Sequence, residues 1–193
     1  MKNIFKVVPL LIFLSFPVFA DVNQDITNFV NNFAKKFESI ENIEIQKKKE
    51  VETFILSRQI LDFSWMGNYI LGRHRKTISE EKVKQFVEEY SKFLIRNYLS
   101  VLHYYTGDNY KILSIEKTKD KTYMVSTSVK YKDDKFVKNN FRIVEKSGKY
   151  YITDIITEGI SFINAQRSEV NSLVTSKGFD KFLEELKAKN ESK

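Results

Sequence analysis

The sequence predicts an α+β fold: an antiparallel, curved four-stranded sheet covered by several helices and enclosing an apolar pocket. Three observations lead there. Apolar residues recur at helical spacing as far as His103 or Tyr104, alternate with polar ones between Tyr110 and Thr157, and return to helical spacing after Ser161. Helices, then a meander, then helices is the order in which helices gather over one face of a sheet.

The start of the chain stands apart. Lys2 and Lys6 are followed by the apolar run Val7–Leu14, and Val18 and Ala20 supply small residues before the polar Asp21. This pattern predicts a cleavable export signal over residues 1–20 and a single domain over 21–193. The run is short for a hydrocarbon core of about 30 Å, which favours cleavage over anchoring. The sequence contains no Cys, so the usual lipoprotein anchor and disulfides are excluded and the fold must stand on its core.

Ile26, Phe29, Val30, Phe33, Phe37 and Ile40 predict a first amphipathic helix. A second, from about Ile45 to Leu61, starts polar and ends apolar with Val51, Phe54, Ile55 and Leu56. After a corner at Leu61–Ser64, Ser64 is a plausible cap for a short helix bearing Trp65, Met66, Tyr69, Ile70 and Leu71, which Gly72 stops. Ser79 then caps the longest helix, with Glu80 and Glu81 in its first turn. Its stripe runs through Val83, Phe86, Val87, Tyr90, Phe93, Leu94, Tyr98, Val101 and Leu102.

Period-two alternation predicts strands over 110–115, 123–131, 137–143 and 150–157. Lys132–Lys135 and Ser147–Lys149 read as hairpin turns. Beyond the loop Glu158–Ser161, a helix carries Ile163, Val170, Leu173 and Val174. Gly178 breaks it, and Phe179, Phe182, Leu183 and Leu186 form the last helix.

The net charge of +7 becomes +5 without Lys2 and Lys6, which favours anionic surfaces or acidic partners. Nucleic acid suits an exported chain poorly, and the Lys residues are interleaved with Asp and Glu. Sixteen Phe and ten Tyr make the chain unusually aromatic, though a core alone would account for them. For catalysis the inventory is thin: two histidines, His74 and His103, and no HExxH, GxSxG or Gly-rich phosphate loop. No metal site and no cofactor is expected. Asp62, Asp154 and Glu158 lie among apolar neighbours. Asp154 is the best candidate base for an alternative reading, an isomerase or dehydratase with one acid in a greasy pocket. Its plainer role is to cap backbone amides near a strand end. A partner-binding module with a solid core is a third reading.

Several fragments carry a resemblance. They are Leu61-Asp62-Phe63 with Tyr69-Ile70-Leu71-Gly72-Arg73; Phe86, Phe93-Leu94-Ile95 and Tyr98 on the long helix; and Tyr104-Tyr105-x-Gly107. The strongest run is Gly148-Lys149-Tyr150-x-Ile152-x-Asp154-Ile155-x2-Glu158-Gly159-Ile160-Ser161, with Arg167 and Gly178 downstream. In order and spacing these resemble the MlaC, or toluene-tolerance, family of periplasmic phospholipid-binding proteins. The family often has Trp where this chain has Tyr150, and an aromatic where it has His74.

The resemblance implies a deep pocket for acyl chains with the headgroup outside, and a soluble shuttle in an ABC-type lipid pathway. Its implied partners are phospholipid, an inner-membrane ABC transporter with a hexameric membrane-anchored ring, and an outer-membrane lipoprotein–porin complex. The expected pocket wall is Trp65, Tyr69 and Ile70, then Tyr90, Leu94, Tyr98 and Val101, with Val125, Val129, Phe141 and Ile143 from the sheet. Ordinary core packing is the plainer role for each. Arg73, Arg75 and Lys76, with His74, could meet lipid phosphate or an acidic partner, or be a solvated cluster at a helix end. Arg167 is expected to anchor the Glu158–Ser161 loop through a salt bridge.

Overall fold

The computed structural model describes residues 21–102, 109–130 and 135–191. The predicted export signal, Tyr104, Tyr105 and Gly107, and residues 132–134 of the predicted turn lie outside them. So do the side chains of Tyr98 and Val101.

Asp21 opens the helical half: its carboxylate accepts the Asn23 amide at 3.0 Å and caps α1 (Val22–Glu41). The chain turns back into α2 (Gln46–Ile60), which buries Thr53, Leu56, Ser57 and Ile60. Val51 and Ile55 are exposed instead, a correction to the predicted face. An apolar-only reading missed the phase because two hydroxyl residues share the buried stripe with Leu56 and Ile60.

Asp62, not Ser64, caps α3 (Phe63–Leu71), accepting the Trp65 amide at 3.0 Å. Lys146 pairs with the other oxygen of Asp62. Gly67 lets α3 lie close on the next helix, since a Cβ there would come 2.7 Å from Val87 Cγ2. α3 ends at Gly72 (φ +51°), as predicted, and continues as a 3-10 helix, Gly72–Thr77. α4 (Glu80–Leu102) follows, with Ser79 accepting the Lys82 amide on its hydroxyl and the Val83 amide on its carbonyl.

The sheet holds β1 (Tyr110–Lys119), β2 (Thr122–Lys130), β3 (Phe136–Lys146), β4 (Lys149–Thr157) and β5 (Ile160–Ser161), antiparallel and in sequential order. The four predicted strands are present: the first, third and fourth are longer than predicted, and the second keeps its length one residue earlier, the predicted end Tyr131 lying outside the described residues. The added fifth follows from Glu158 (φ +50°) and Gly159 (φ +82°), which reverse the chain tightly enough for Ile160–Ser161 to pair back on β4. Ser147 and Gly148, also at positive φ, make the predicted turn between β3 and β4. Tyr123, Val125, Thr127 and Val129 on β2, with Asn139, Phe141 and Ile143 on β3, face inward. α5 (Phe162–Lys177) and α6 (Phe179–Glu191) complete the helical layer, separated by Gly178 as predicted.

Among the described residues, the buried apolar side chains form three clusters. One joins α1 to the sheet through Ile26, Val30, Val125, Phe141 and Ile143. A second lies between α1 and α2, around Phe33, Phe37, Leu56 and Ile60. The largest links α3, α4, α5 and α6 around Met66, Ile70, Phe86, Leu94, Ile163 and Phe182. Leu61, between α2 and α3, packs against all three. It is pinned to the sheet by a bridge to Ile152 and by the Asp62 amide, which donates to the Ile152 carbonyl at 3.2 Å.

Candidate functional site

The three clusters do not close completely where they meet at Leu61. A small apolar cavity remains. Phe33, Ile60 and Leu61 wall it on the α1–α2 side, Met66, Leu94 and Ile95 on the α3–α4 side, and Phe141, Ile152 and Ile155 on the sheet side, with Phe162 at the start of α5. Its free volume is about 30 Å³. Among the described residues none that lines it is charged, and its polar member is Ser57. Ser57 is 1% exposed, and its Oγ is the buried side-chain polar atom that lacks a hydrogen-bond partner among the described residues.

Two larger depressions border the cavity and open to solvent. One, of about 320 Å³, shares Phe33 and Ile60 with it and carries Asn32, Lys36, Gln59, Lys149 and Tyr150. The other, of about 700 Å³, shares Leu61 and carries Arg58, Asp62, Glu88, Lys146, Lys149 and Tyr151. Ile60 and Leu61 thus stand between an apolar interior and two polar-rimmed hollows. In the larger hollow Arg58 is paired with Glu88 and Lys146 with Asp62. Lys36 and Lys149 make no ion pair with a described residue, leaving two free cations on the smaller hollow's rim. Burial, with the Asp25 and Glu145 carboxylates nearby, pushes the Tyr150 phenol up, so Tyr150 faces this hollow as a neutral hydroxyl.

Of the expected pocket wall, Leu94 and Phe141 line the cavity. Val125, Val129 and Ile143 are buried in the sheet cluster, and Ile70 and Tyr90 in the helical one. Trp65 and Tyr69 are half-buried and stacked, with ring centroids 5.0 Å apart. Tyr69 donates to Asn164 Oδ1 at 2.7 Å, and Tyr90 bonds Gln166 along a separate groove between α4, α5 and α6.

The basic segment lines neither the cavity nor the hollows beside it. Arg75 Nε donates to Asn68 at 2.8 Å and its guanidinium pairs with Glu80; Arg73 reaches Thr175 at 3.3 Å, and His74 contacts Asn171 at 3.0 Å. Lys76 is exposed. Arg167 differs from expectation: it makes no ion pair with a described residue. Its guanidinium carbon lies 4.7 Å from the centroid of the Tyr69 ring, against Gly72, where only a residue without a Cβ leaves it room.

Asp154 is wholly buried at the β4–α5 junction and does not line the cavity. Its carboxylate accepts the Ser161 hydroxyl at 2.7 Å, the Ile163 amide at 3.1 Å and Arg142 Nη1 at 3.2 Å. Ser161 in turn accepts the Asn164 amide. This is a capping and pairing role: Ser161 and Ile163 tie the carboxylate to the start of α5, and Arg142 ties it to β3.

Sequence reasoning missed Ser57, Lys36, Lys149, Phe33 and Ile152. For Ser57 a signal existed, because it falls on the stripe of Leu56 and Ile60. For the lysines there was none, since only the folded chain brings residues 36 and 149 together.

The architecture is thus a curved antiparallel sheet backed by helices, with a small apolar cavity beside two polar-rimmed hollows. The chain belongs to the MlaC protein family, whose model matches residues 23–188. It is also similar in fold to a solved structure, the phospholipid-binding protein from Ralstonia solanacearum in complex with a phospholipid. The TM-score is 0.72 at 17% identity, over 90% of this chain and 98% of that one.

Proposed function

We propose that the protein is an exported periplasmic carrier that holds phospholipid by its acyl chains in the apolar cavity, performs no covalent chemistry, and shuttles lipid between outer and inner membranes within an ABC-type pathway. The observation that carries this reading is the uncharged cavity at the junction of three apolar clusters, in a chain of the MlaC family. The phospholipid complex of the Ralstonia protein with the same fold supports it.

A free volume of about 30 Å³ holds about one water, so uptake of an acyl chain requires the cavity to widen. It would widen at Ile60 and Leu61, which line both the cavity and a hollow, as they move and join the two. Ile70, Val125, Val129 and Ile143, behind the present wall, then come within reach of the chains. Tails at about 0.8 kcal/mol per methylene gain on the order of 20 kcal/mol over water, but the membrane offers the same. A carrier therefore needs only to match the bilayer, and a wall without charges suits both capture and release.

Outside the cavity, Lys36 and Lys149 are the cations placed to meet a phosphate. Arg73 and Lys76, turned to solvent away from the hollows, suit contact with an acidic surface on the transporter's ring or on the lipoprotein–porin complex. Residues 1–20 direct export, and cleavage leaves Asp21 as the first residue, already the cap of α1.

Transfer of a fluorescent phospholipid from donor to acceptor vesicles tests the reading. The protein should accelerate transfer in proportion to its concentration. Transfer no faster than the spontaneous rate contradicts it.

A further inference from the structure

Ser57 is out of place in an otherwise apolar cavity. One turn earlier on α2, Thr53 is equally buried, and its hydroxyl donates to the Lys49 carbonyl at 2.7 Å, the usual outlet for a buried helical hydroxyl. Ser57 makes no such bond: its Oγ has no partner among the described residues. A buried hydroxyl without a partner is costly, and such an atom in a binding cavity points to a group that arrives with the ligand.

The position of Ser57 says which group. Ile60 and Leu61, three and four residues on, form the boundary between the cavity and the hollows, while its neighbours Arg58 and Gln59 belong to the polar rims. Ser57 therefore sits on the apolar side of the boundary between interior and polar mouth. In a diacyl phospholipid the atoms at that boundary are the ester carbonyls, which accept hydrogen bonds and cannot donate them.

We infer that Ser57 is a specificity-determining residue, whose hydroxyl donates to an acyl ester carbonyl and favours ester-linked over ether-linked lipids. The inference rests on the proposed lipid-carrier function. Ether lipids of the same chain length keep the tails and the headgroup but lack the carbonyl, so they would leave Ser57 unpaired.

The test loads the delipidated full-length mature protein from vesicles containing equal amounts of diester and diether phosphatidylcholine of matched chains, and quantifies the bound lipid by mass spectrometry. Wild type should enrich the ester by about three- to tenfold, the worth of one neutral hydrogen bond. Ser57→Ala should take up lipid with a ratio near one, and Ser57→Thr should restore the preference. Ser57→Ala removes no hydrogen bond seen in the structure and improves helix propensity, so it should melt no lower than wild type. Equal uptake of both lipids by wild type, or a preference retained in Ser57→Ala, overturns the ester assignment while leaving the carrier intact. Wild type that takes up neither lipid overturns the carrier reading and the inference together.

Discussion

Arg142 and Asp154 stand opposite each other in the β3–β4 register, with Nη1 of the guanidinium 3.2 Å from a carboxylate that has no exposed surface. The β3–β4 register shifts immediately beyond this pair, between Arg142 and Ile143, and Asp154 also accepts the Ile163 amide and the Ser161 hydroxyl. One buried carboxylate thus ties two strands to the first turn of α5. Removing it leaves a cation and an amide without their partner. Asp154→Ala should cost roughly 3 kcal/mol and Asp154→Asn less, read as the shift of a denaturant midpoint. Lipid should still co-purify with Asp154→Asn. Stability unchanged in Asp154→Ala would contradict the capping role.

Gly72 and Arg167 give a second stability test. At φ +51°, with Arg167 Nε 2.9 Å from where a Cβ would stand, Gly72→Ala meets both backbone strain and a clash. A loss of about 1–3 kcal/mol is expected. Arg167→Ala should relieve the clash but not the strain, so the double variant should be less destabilised than the sum of the two single changes. Thermal melts of the four proteins measure this, and strict additivity would show that the contact with Arg167 does not matter.

How much of this was legible in the sequence differs between strands and helices. The alternation Tyr123, Val125, Thr127, Val129 and the turn at Ser147–Gly148 specify strand faces directly, because side chains on a strand have only two directions. The 3.6-residue period of α2 was obscured by Thr53 and Ser57, whose hydroxyls read as surface residues. Gly72 announced a helix end through its backbone freedom. What Arg167 packs on was not readable, because the Tyr69 ring and Gly72 lie almost a hundred residues away along the chain. The cavity was legible only as a surplus of apolar residues. Leu94 and Phe141 share it with Phe33 and Ile152 because of how three clusters meet, which no local pattern encodes.

Leu94→Glu places a carboxylate on the cavity wall. Burying its charge beside hydrocarbon costs several kcal/mol, or forces it to take up a proton. Bound lipid per protein should fall sharply, with the far-ultraviolet circular dichroism of a folded chain retained. Full lipid content together with an unchanged melt would mean that Leu94 does not border the ligand.

Lys36 and Lys149 carry free charge at the mouth of the smaller hollow. Lys36→Glu with Lys149→Glu should reduce uptake of anionic phosphatidylglycerol more than that of zwitterionic phosphatidylethanolamine. The difference should narrow as salt rises toward physiological strength and the Debye length falls to about 8 Å. Equal losses for the two lipids at all salt concentrations would remove the lysines from the headgroup site.

Native mass spectrometry of the mature protein, purified without detergent, tests the central claim most directly. A lipid carrier should fly as a complex heavier than the bare chain by the mass of a phospholipid, with organic extraction returning that phospholipid. A spectrum showing only the bare chain, with no lipid in the extract and none taken up after incubation with vesicles, would mean that the cavity at Leu61 is a packing defect and that the protein is not a carrier.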